Sequence, residues 1–149
     1  MDIRDITPPA GMAGRVDHIG IAVTDLEAGI RLYAGLLGLE LIAVEEVPRE
    51  KLKVALLKLD RAGGAGCVEL LQPLDPDSNV GRFLEKKGPG LHHVAFAADD
   101  MAAALANCRA AGLRLLNEEP LPGAHGKQVV FLHPKDTAGV LIEICSRLP

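Results

Sequence analysis

The chain carries one pattern twice, and nothing else in it limits the fold as strongly. Val16-Asp17-His18-Ile19-Gly20-Ile21-Ala22-Val23 returns as Leu91-His92-His93-Val94-Ala95-Phe96-Ala97-Ala98, so that His18 and His93 stand 75 residues apart. Val54-Ala55-Leu56-Leu57 returns at the same spacing as Val129-Val130-Phe131-Leu132. Val68-Glu69-Leu70-Leu71 returns as Ile142-Glu143-Ile144-Cys145 at a spacing of 74. Self-similarity at a fixed period sets architecture before any local assignment is made. Each copy also holds one His near its start and one Glu near its end. If the copies pack about a pseudo-twofold axis, two His and two Glu can converge on one point.

Residues 16–23 alternate, with His18, Gly20 and Ala22 on one face and Ile19, Ile21 and Val23 on the other. That is a strand whose large apolar side chains face a core. Thr24, with Glu27 three residues on, reads as a capping box opening a helix. Leu26, Ile30, Tyr33 and Leu37 form its apolar stripe, and Gly38 suits its C-terminus. Extended segments follow at 39–46, 52–59 and 67–72, giving βαβββ over 16–74. The second unit, 91–146, repeats the order: a strand at 91–98, an Ala-rich helix at 100–111, and strands near 113–117, 127–133 and 139–145. Residues 75–90 read as a linking helix with Asp77 or Ser78 as N-cap. Residues 1–14, with Pro8, Pro9, Gly11 and Gly14, read as a flexible leader. The expected fold class is α+β. Two tandem βαβββ modules form a half-open eight-stranded barrel, each four-stranded sheet backed by a helix and the inner faces lining a cleft.

At 149 residues the chain fits one domain (1–149) made of two fused half-units of about 70 residues. It is 48% apolar and 24% charged, which suits a packed core. A net charge of −4 and a pI near 5.7 argue against nucleic acid as a partner, and 3% aromatic content offers no stacking platform for bases. No apolar run is long enough to span a bilayer, and residues 1–14 lack a signal-peptide pattern. Cys67, Cys108 and Cys145 are scattered and read as small buried residues of a reducing compartment, so a cytoplasmic location is expected.

Parity carries the chemistry. His18 shares its face with Gly20 and Ala22, and His93 with Ala95 and Ala97. Small residues beside a His indicate a cavity wall rather than packed core. Glu69 and Glu143 each sit inside an apolar strand, where a lone carboxylate is costly to bury unless it is paired or bound to a metal. Taken singly, a strand His is usually a hydrogen-bonded structural residue, and a strand Glu usually faces solvent. The matched set of four points instead to a divalent metal bound by His18, Glu69, His93 and Glu143. Mixed N/O donors suit Co²⁺, Ni²⁺, Mn²⁺, Zn²⁺ or Fe²⁺ with open water positions, and suit a closed structural zinc site poorly. His92, adjacent to His93, is expected on the opposite face as a hydrogen-bonding residue. His125 and His133 are expected near the mouth, in structural rather than ligating roles. Gly123-Ala124-His125-Gly126-Lys127 reads as a turn able to present N–H groups to an anion. Lys86, Lys87, Lys127 and Lys135 read as solvated surface lysines.

Two βαβββ units with a His and a Glu in each resemble the vicinal oxygen chelate superfamily. Within it, Phe83 to Phe96 around Gly90-Leu91-His92-His93 is similar to the methylmalonyl-CoA epimerases. So are Gly123 to Lys127, Phe131-Leu132-His133-Pro134-Lys135, and Gly139 to Glu143. The resemblance covers about residues 16–146 and implies His18, His93 and Glu143 as metal ligands, with Glu69 where that family has Gln or Glu. The implied metal is divalent, Co²⁺ foremost, with Mn²⁺, Ni²⁺, Zn²⁺ or Mg²⁺ as others. The implied reaction interconverts the C2 epimers of a small CoA thioester, methylmalonyl-CoA, and the implied assembly is a homodimer. Some members have a glutamate on the third strand of the first unit as a second base, and Val54 stands at that place here. Glu143 is expected as one acid/base group, with Glu69 or Glu50 as the other. The rival readings are a glyoxalase I-type lactoylglutathione lyase, an iron-dependent ring-cleaving dioxygenase, and a metal-free binding module. The last two are disfavoured by the fourth candidate ligand and by retention of the whole set.

Overall fold

The computed structural model describes residues 2–149. β1 (Met12–Ala22) leads into α1 (Leu26–Ile30), and β2 (Leu41–Val47), β3 (Leu52–Lys58) and β4 (Cys67–Pro73) follow. α2 (Asn79–Lys87) links to β5 (Gly90–Ala98) and α3 (Met101–Ala110), then β6 (Leu121–Pro122), β7 (Lys127–Leu132) and β8 (Ile142–Arg147). The strands do not form two separate sheets. They join in one eight-stranded sheet, ordered β2-β3-β4-β1-β5-β8-β7-β6, that curls into a half-barrel.

The sheet shows the duplication directly. β1 pairs parallel with β4, and β5 pairs parallel with β8. β1 and β5 pair antiparallel at the centre and fuse the halves across the pseudo-twofold axis. α1 covers the outer face of the first half, where Leu26 packs with Ala55, Leu57, Val68 and Leu70. α3 covers the second, where Met101, Ala104 and Leu105 pack on Val130, Leu132 and Ile144. The alternation read from the sequence therefore sorts the faces as expected: large apolar side chains lie under the helices, and His, Gly and Ala line the concave side.

Several local expectations are corrected. Helix α1 is capped by Asp25, whose side chain accepts from the Ala28 N–H, and not by Thr24. The helix widens into a π turn over Arg31–Leu36, closed by Leu37 N–H to Leu32 C=O at 2.9 Å. The wider turn shifts the helical phase, so Ala34 joins Ile30 and Tyr33 against the core while Leu37 is 59% exposed. The last part of the expected leader is strand: Met12 pairs with Ala98, and the Gly11 carbonyl accepts from the Asp99 and Asp100 N–H groups. Gly11 lies so close to α3 that a Cβ there would sit 2.6 Å from the Ala104 nitrogen.

The strand expected at 113–117 contributes only a single bridge, Leu115 to Leu132. Beyond it the Asn117 side chain replaces the ladder, accepting from the Phe131 N–H and donating to the Val129 C=O. Regular pairing resumes at Leu121–Pro122. Linker helix α2 begins at Ser78, whose hydroxyl accepts from the Gly81 N–H. Among the described residues no helix is long and apolar enough to cross a membrane.

Candidate metal centre and active site

Register brings the four expected ligands together. Glu69 on β4 pairs with Gly20, two residues beyond His18 on β1. Glu143 on β8 pairs with Ala95, two residues beyond His93 on β5. Across the central pair, Gly20 faces His93 and His18 faces Ala95. Residues two apart on a strand share a face, so both imidazoles and both carboxylates point to the same place on the concave side. Gly20 is required there, because a Cβ would lie 2.2 Å from His93 Cε1.

The resulting cluster is tight and buried. His18 Nε2 lies 3.0 Å from His93 Nε2, 3.0 Å from Glu69 Oε2 and 3.1 Å from Glu143 Oε2. His93 Nε2 lies 3.6 Å from Glu143 Oε1. All four residues are buried, with relative exposures of 4–6%. His18, His93 and Glu143 thus bring one donor atom each within 4.8 Å of one another, and Glu69 adjoins this group through His18.

Two observations test whether these residues fit a cation. Among the described residues Glu143 Oε2 is buried with no hydrogen-bond partner, an orphaned acceptor of the kind a metal satisfies. The carboxylates are also concentrated: buried Asp17, Glu69 and Glu143 share the His18 imidazole, the Lys127 ammonium 2.5 Å from Asp17, and the half-exposed Arg15 guanidinium at 3.6 Å. Burial raises Glu69 to about 7, with the Glu143 charge adding to the shift. Burial works against a charged His18, but the hydrogen bond to Asp17 and the neighbouring Cys145, Glu143 and Glu69 outweigh it and push the imidazole up to about 12. Burial and the neighbouring His18 charge hold His93 well below the usual imidazole range. The group is built to hold positive charge, and the donor set fits a divalent metal.

A second cluster, Asp17, His18 and Cys145, adjoins the first. Its Asp17 is already paired with the Lys127 ammonium, and burial pushes the Cys145 thiol up. Asp17 engages His18 through Nδ1 at 2.8 Å, which leaves Nε2 for the main cluster.

The cluster sits in a cavity of about 570 Å³. Glu50 lies on its wall, at the turn between β2 and β3, and burial together with the Glu143 charge raises it to about 7. Val54 is 1% exposed and faces the same cavity, so the first half supplies its extra carboxylate from the turn and not from β3. His92 does not point away from His93. It also lines the cavity, its Nδ1 2.9 Å from His93 Nδ1 and its ring edge-on to Phe83. Burial lowers His92 to about 4, so it is a neutral imidazole. Lys127 is no solvated lysine but the partner of Asp17. His133 caps a short turn by accepting from the Lys135 N–H, a structural role as expected. His125 donates its backbone N–H to Glu45 and takes no part in the metal cluster. Asp17, His92 and Lys127 were not singled out by sequence as partners of the ligands, although Asp17 and His92 occupy equivalent places in the repeat.

The family model for the glyoxalase/bleomycin resistance protein/dioxygenase superfamily matches residues 17–131. The chain belongs to this superfamily. It is 42% identical over 135 residues to the ethylmalonyl-CoA/methylmalonyl-CoA epimerase of Cereibacter sphaeroides, covering 89% of this chain and 98% of that one. The crystal structure of methylmalonyl-CoA epimerase from Mycobacterium tuberculosis superimposes with a TM-score of 0.87 at 36% identity, covering 98% of this chain and 95% of that one. A methylmalonyl-CoA epimerase in complex with methylmalonyl-CoA and NH₄⁺ superimposes with a TM-score of 0.84 at 40% identity, covering 93% and 96%. Superfamily members commonly bind a divalent metal, and His18, His93 and Glu143 form a ligand group of that kind here.

Proposed function

We propose that this chain is a methylmalonyl-CoA epimerase that interconverts the (R) and (S) forms of its substrate by moving the C2 proton from one face to the other. The observation that carries this reading is the pairing of the His18, His93 and Glu143 group, with Glu69 beside His18, and a further carboxylate, Glu50, on the same cavity wall. Similarity to named epimerases over most of the chain supports it. His18, His93, Glu143 and Glu69 would hold the metal, and Co²⁺ is the ion we propose. When bound, the cation supplies Lewis-acid stabilisation to the oxygens flanking C2.

The chain's own residues do the proton work. The C2 hydrogen lies between a thioester carbonyl and a carboxylate, so its removal leaves a planar enolate. Inversion needs one acid/base group on each side of that plane. Glu143, from the second half, is one such group. Glu50, from the first half, is the other: it lies outside the ligand cluster and its pKa near 7 suits both taking and returning a proton. Glu69 stands 3.0 Å from His18 Nε2, as Glu143 does at 3.1 Å, so Glu50 is the carboxylate that the first half offers outside the cluster. One glutamate accepts the proton from C2, the other delivers its own to the opposite face, and the pair exchanges protonation states.

The deciding experiment follows exchange of the C2 hydrogen of methylmalonyl-CoA in deuterated water, by NMR or mass spectrometry, with Co²⁺ added and with chelator added. Metal-dependent exchange and loss of optical activity are expected. Absence of exchange with Co²⁺, Mn²⁺, Ni²⁺ or Zn²⁺, combined with turnover of a glutathione hemithioacetal, would reverse the assignment in favour of the lyase. We also propose a homodimer, supported by exposed apolar side chains such as Leu36 (77%) and Leu37 (59%). Sedimentation at the mass of the 15.7 kDa monomer would refute that assembly.

A further inference from the structure

Each metal-binding imidazole is preceded by a residue that a β-bulge turns toward it. Along the central pair, Val16 faces Phe96 and His18 faces Ala95, so Asp17 is an extra residue on β1. Further on, Gly20 faces His93 and Ile21 faces Leu91, so His92 is an extra residue on β5. On a regular strand the neighbour of an inward His points outward. A bulge cancels that alternation and re-aims one side chain. The two bulges lie at the same place in the two repeats, and both are used alike: Asp17 Oδ2 meets His18 Nδ1 at 2.8 Å, and His92 Nδ1 meets His93 Nδ1 at 2.9 Å.

We propose that Asp17 and His92 are paired positioning residues, each accepting the Nδ1–H of the following histidine so that its Nε2 lone pair is fixed toward the metal. An imidazole donating from Nδ1 keeps its lone pair on Nε2, and both Nε2 atoms are the ones that converge. Second partners of this kind set the tautomer and ring orientation of metal-bound histidines. The two partners differ in character. Asp17 is a buried carboxylate anchored by Lys127 at 2.5 Å. His92 is an imidazole held edge-on by Phe83 at 4.9 Å.

The inference rests on the metal reading above, and its test keeps the two apart. Co²⁺ affinity is measured by competition with a chelating dye for the unaltered chain, His92→Phe, His92→Asn, Asp17→Leu and Asp17→Asn. Phe keeps the ring and its contact with Phe83 but has no acceptor. Asn places a carbonyl oxygen where His92 Nδ1 stands. His92→Phe and Asp17→Leu are expected to weaken Co²⁺ binding about 10- to 100-fold, and His92→Asn and Asp17→Asn to recover most of that loss. Affinity of His92→Phe equal to that of the unaltered chain overturns the proposal. So does equal weakening by Phe and Asn, since a packing defect and not the hydrogen bond would then be the cause. An unaltered chain that takes up no Co²⁺ overturns the metal reading itself and this inference with it. Should Asp17→Leu fail to fold, the His92 pair decides alone.

Discussion

Gly20→Ala should damage the proposed metal centre without touching any of its proposed ligands. The added Cβ would lie 2.2 Å from His93 Cε1, 2.5 Å from Nδ1 and 2.8 Å from Nε2. Carbon atoms in ordinary contact are about 3.6 Å apart, so the ring must retreat by about 1.4 Å. Its surroundings leave little room: Phe131 lies edge-on at 5.8 Å, His92 at 5.2 Å and His18 at 5.1 Å. Metal–ligand distances are held to about 0.2 Å, so the displacement takes His93 Nε2 out of bonding range. Co²⁺ affinity should fall at least about tenfold, comparable with losing a ligand's orienting partner. Overpacking costs about 1–3 kcal/mol, and the stiffer unfolded chain returns about 0.4–1 kcal/mol. The net cost of up to about 2.6 kcal/mol should lower the melting temperature of the metal-free protein by up to about 10 °C. Gly35→Ala is the matched control: nothing lies within 4 Å of its added Cβ, so binding should be unchanged. Paired Co²⁺ titrations and thermal melts measure both effects. A Gly20→Ala protein that binds Co²⁺ within about threefold of the unaltered chain and melts no lower would refute this account of why glycine stands there.

Other expectations follow from the same geometry. Glu50→Gln should slow C2 proton exchange by about 10²- to 10⁴-fold while leaving Co²⁺ affinity intact, and a parallel loss of both would make Glu50 part of the ligand cluster. Glu143→Gln should impair both exchange and metal uptake, because Glu143 lies 3.1 Å from His18 Nε2 as well as in the cavity; full activity would remove it from the mechanism. Leu57, fully buried beneath α1, should cost about 2–5 kcal/mol on truncation to Ala, read by chemical denaturation. Arg114 holds the Asp136 carboxyl well below the usual carboxylate range. A depressed pKa gives stability that is present above the unfolded value, about 3.9, and is lost as pH falls. The melting-temperature gap between the unaltered chain and Asp136→Asn should hold steady from about pH 6 to 8 and close below about pH 4; a gap that opens on acidification would reverse the sign.

Much of this was legible in the sequence because β-structure writes its faces in alternate letters. The repeat gave the number of strands and their order within each half. The alternation around His18 and His93 separated cavity from core. Isolated carboxylates in apolar strands marked Glu69 and Glu143, since burial there has no inexpensive explanation. Strict alternation is also what misled. It placed His92 opposite His93, because an unbulged strand admits no other geometry, and it offered no hint that Asp17 would turn inward. Helix α1 kept its apolar stripe only until the π turn changed the angular step, which a 3.6-residue period cannot anticipate. The strand expected at 113–117 was apolar enough, but Asn117 supplied from its side chain the bonds a backbone ladder would have made.

The division between the two sources of information is therefore physical. Sequence alone determined what is local or periodic: two equivalent halves, their inward faces, and a His and a Glu offered by each. Tertiary structure decided what depends on register between distant strands. The antiparallel pairing of β1 with β5 brought His18 and His93 to 3.0 Å, set Gly20 against His93, and placed the two bulges that aim Asp17 and His92. It also carried Lys127, 110 residues along the chain, to Asp17 and brought the turn bearing Glu50 to the cavity wall. Such contacts have no period to read. They arise from the closing of one sheet on itself, and that closure turns a repeated pattern into a single site.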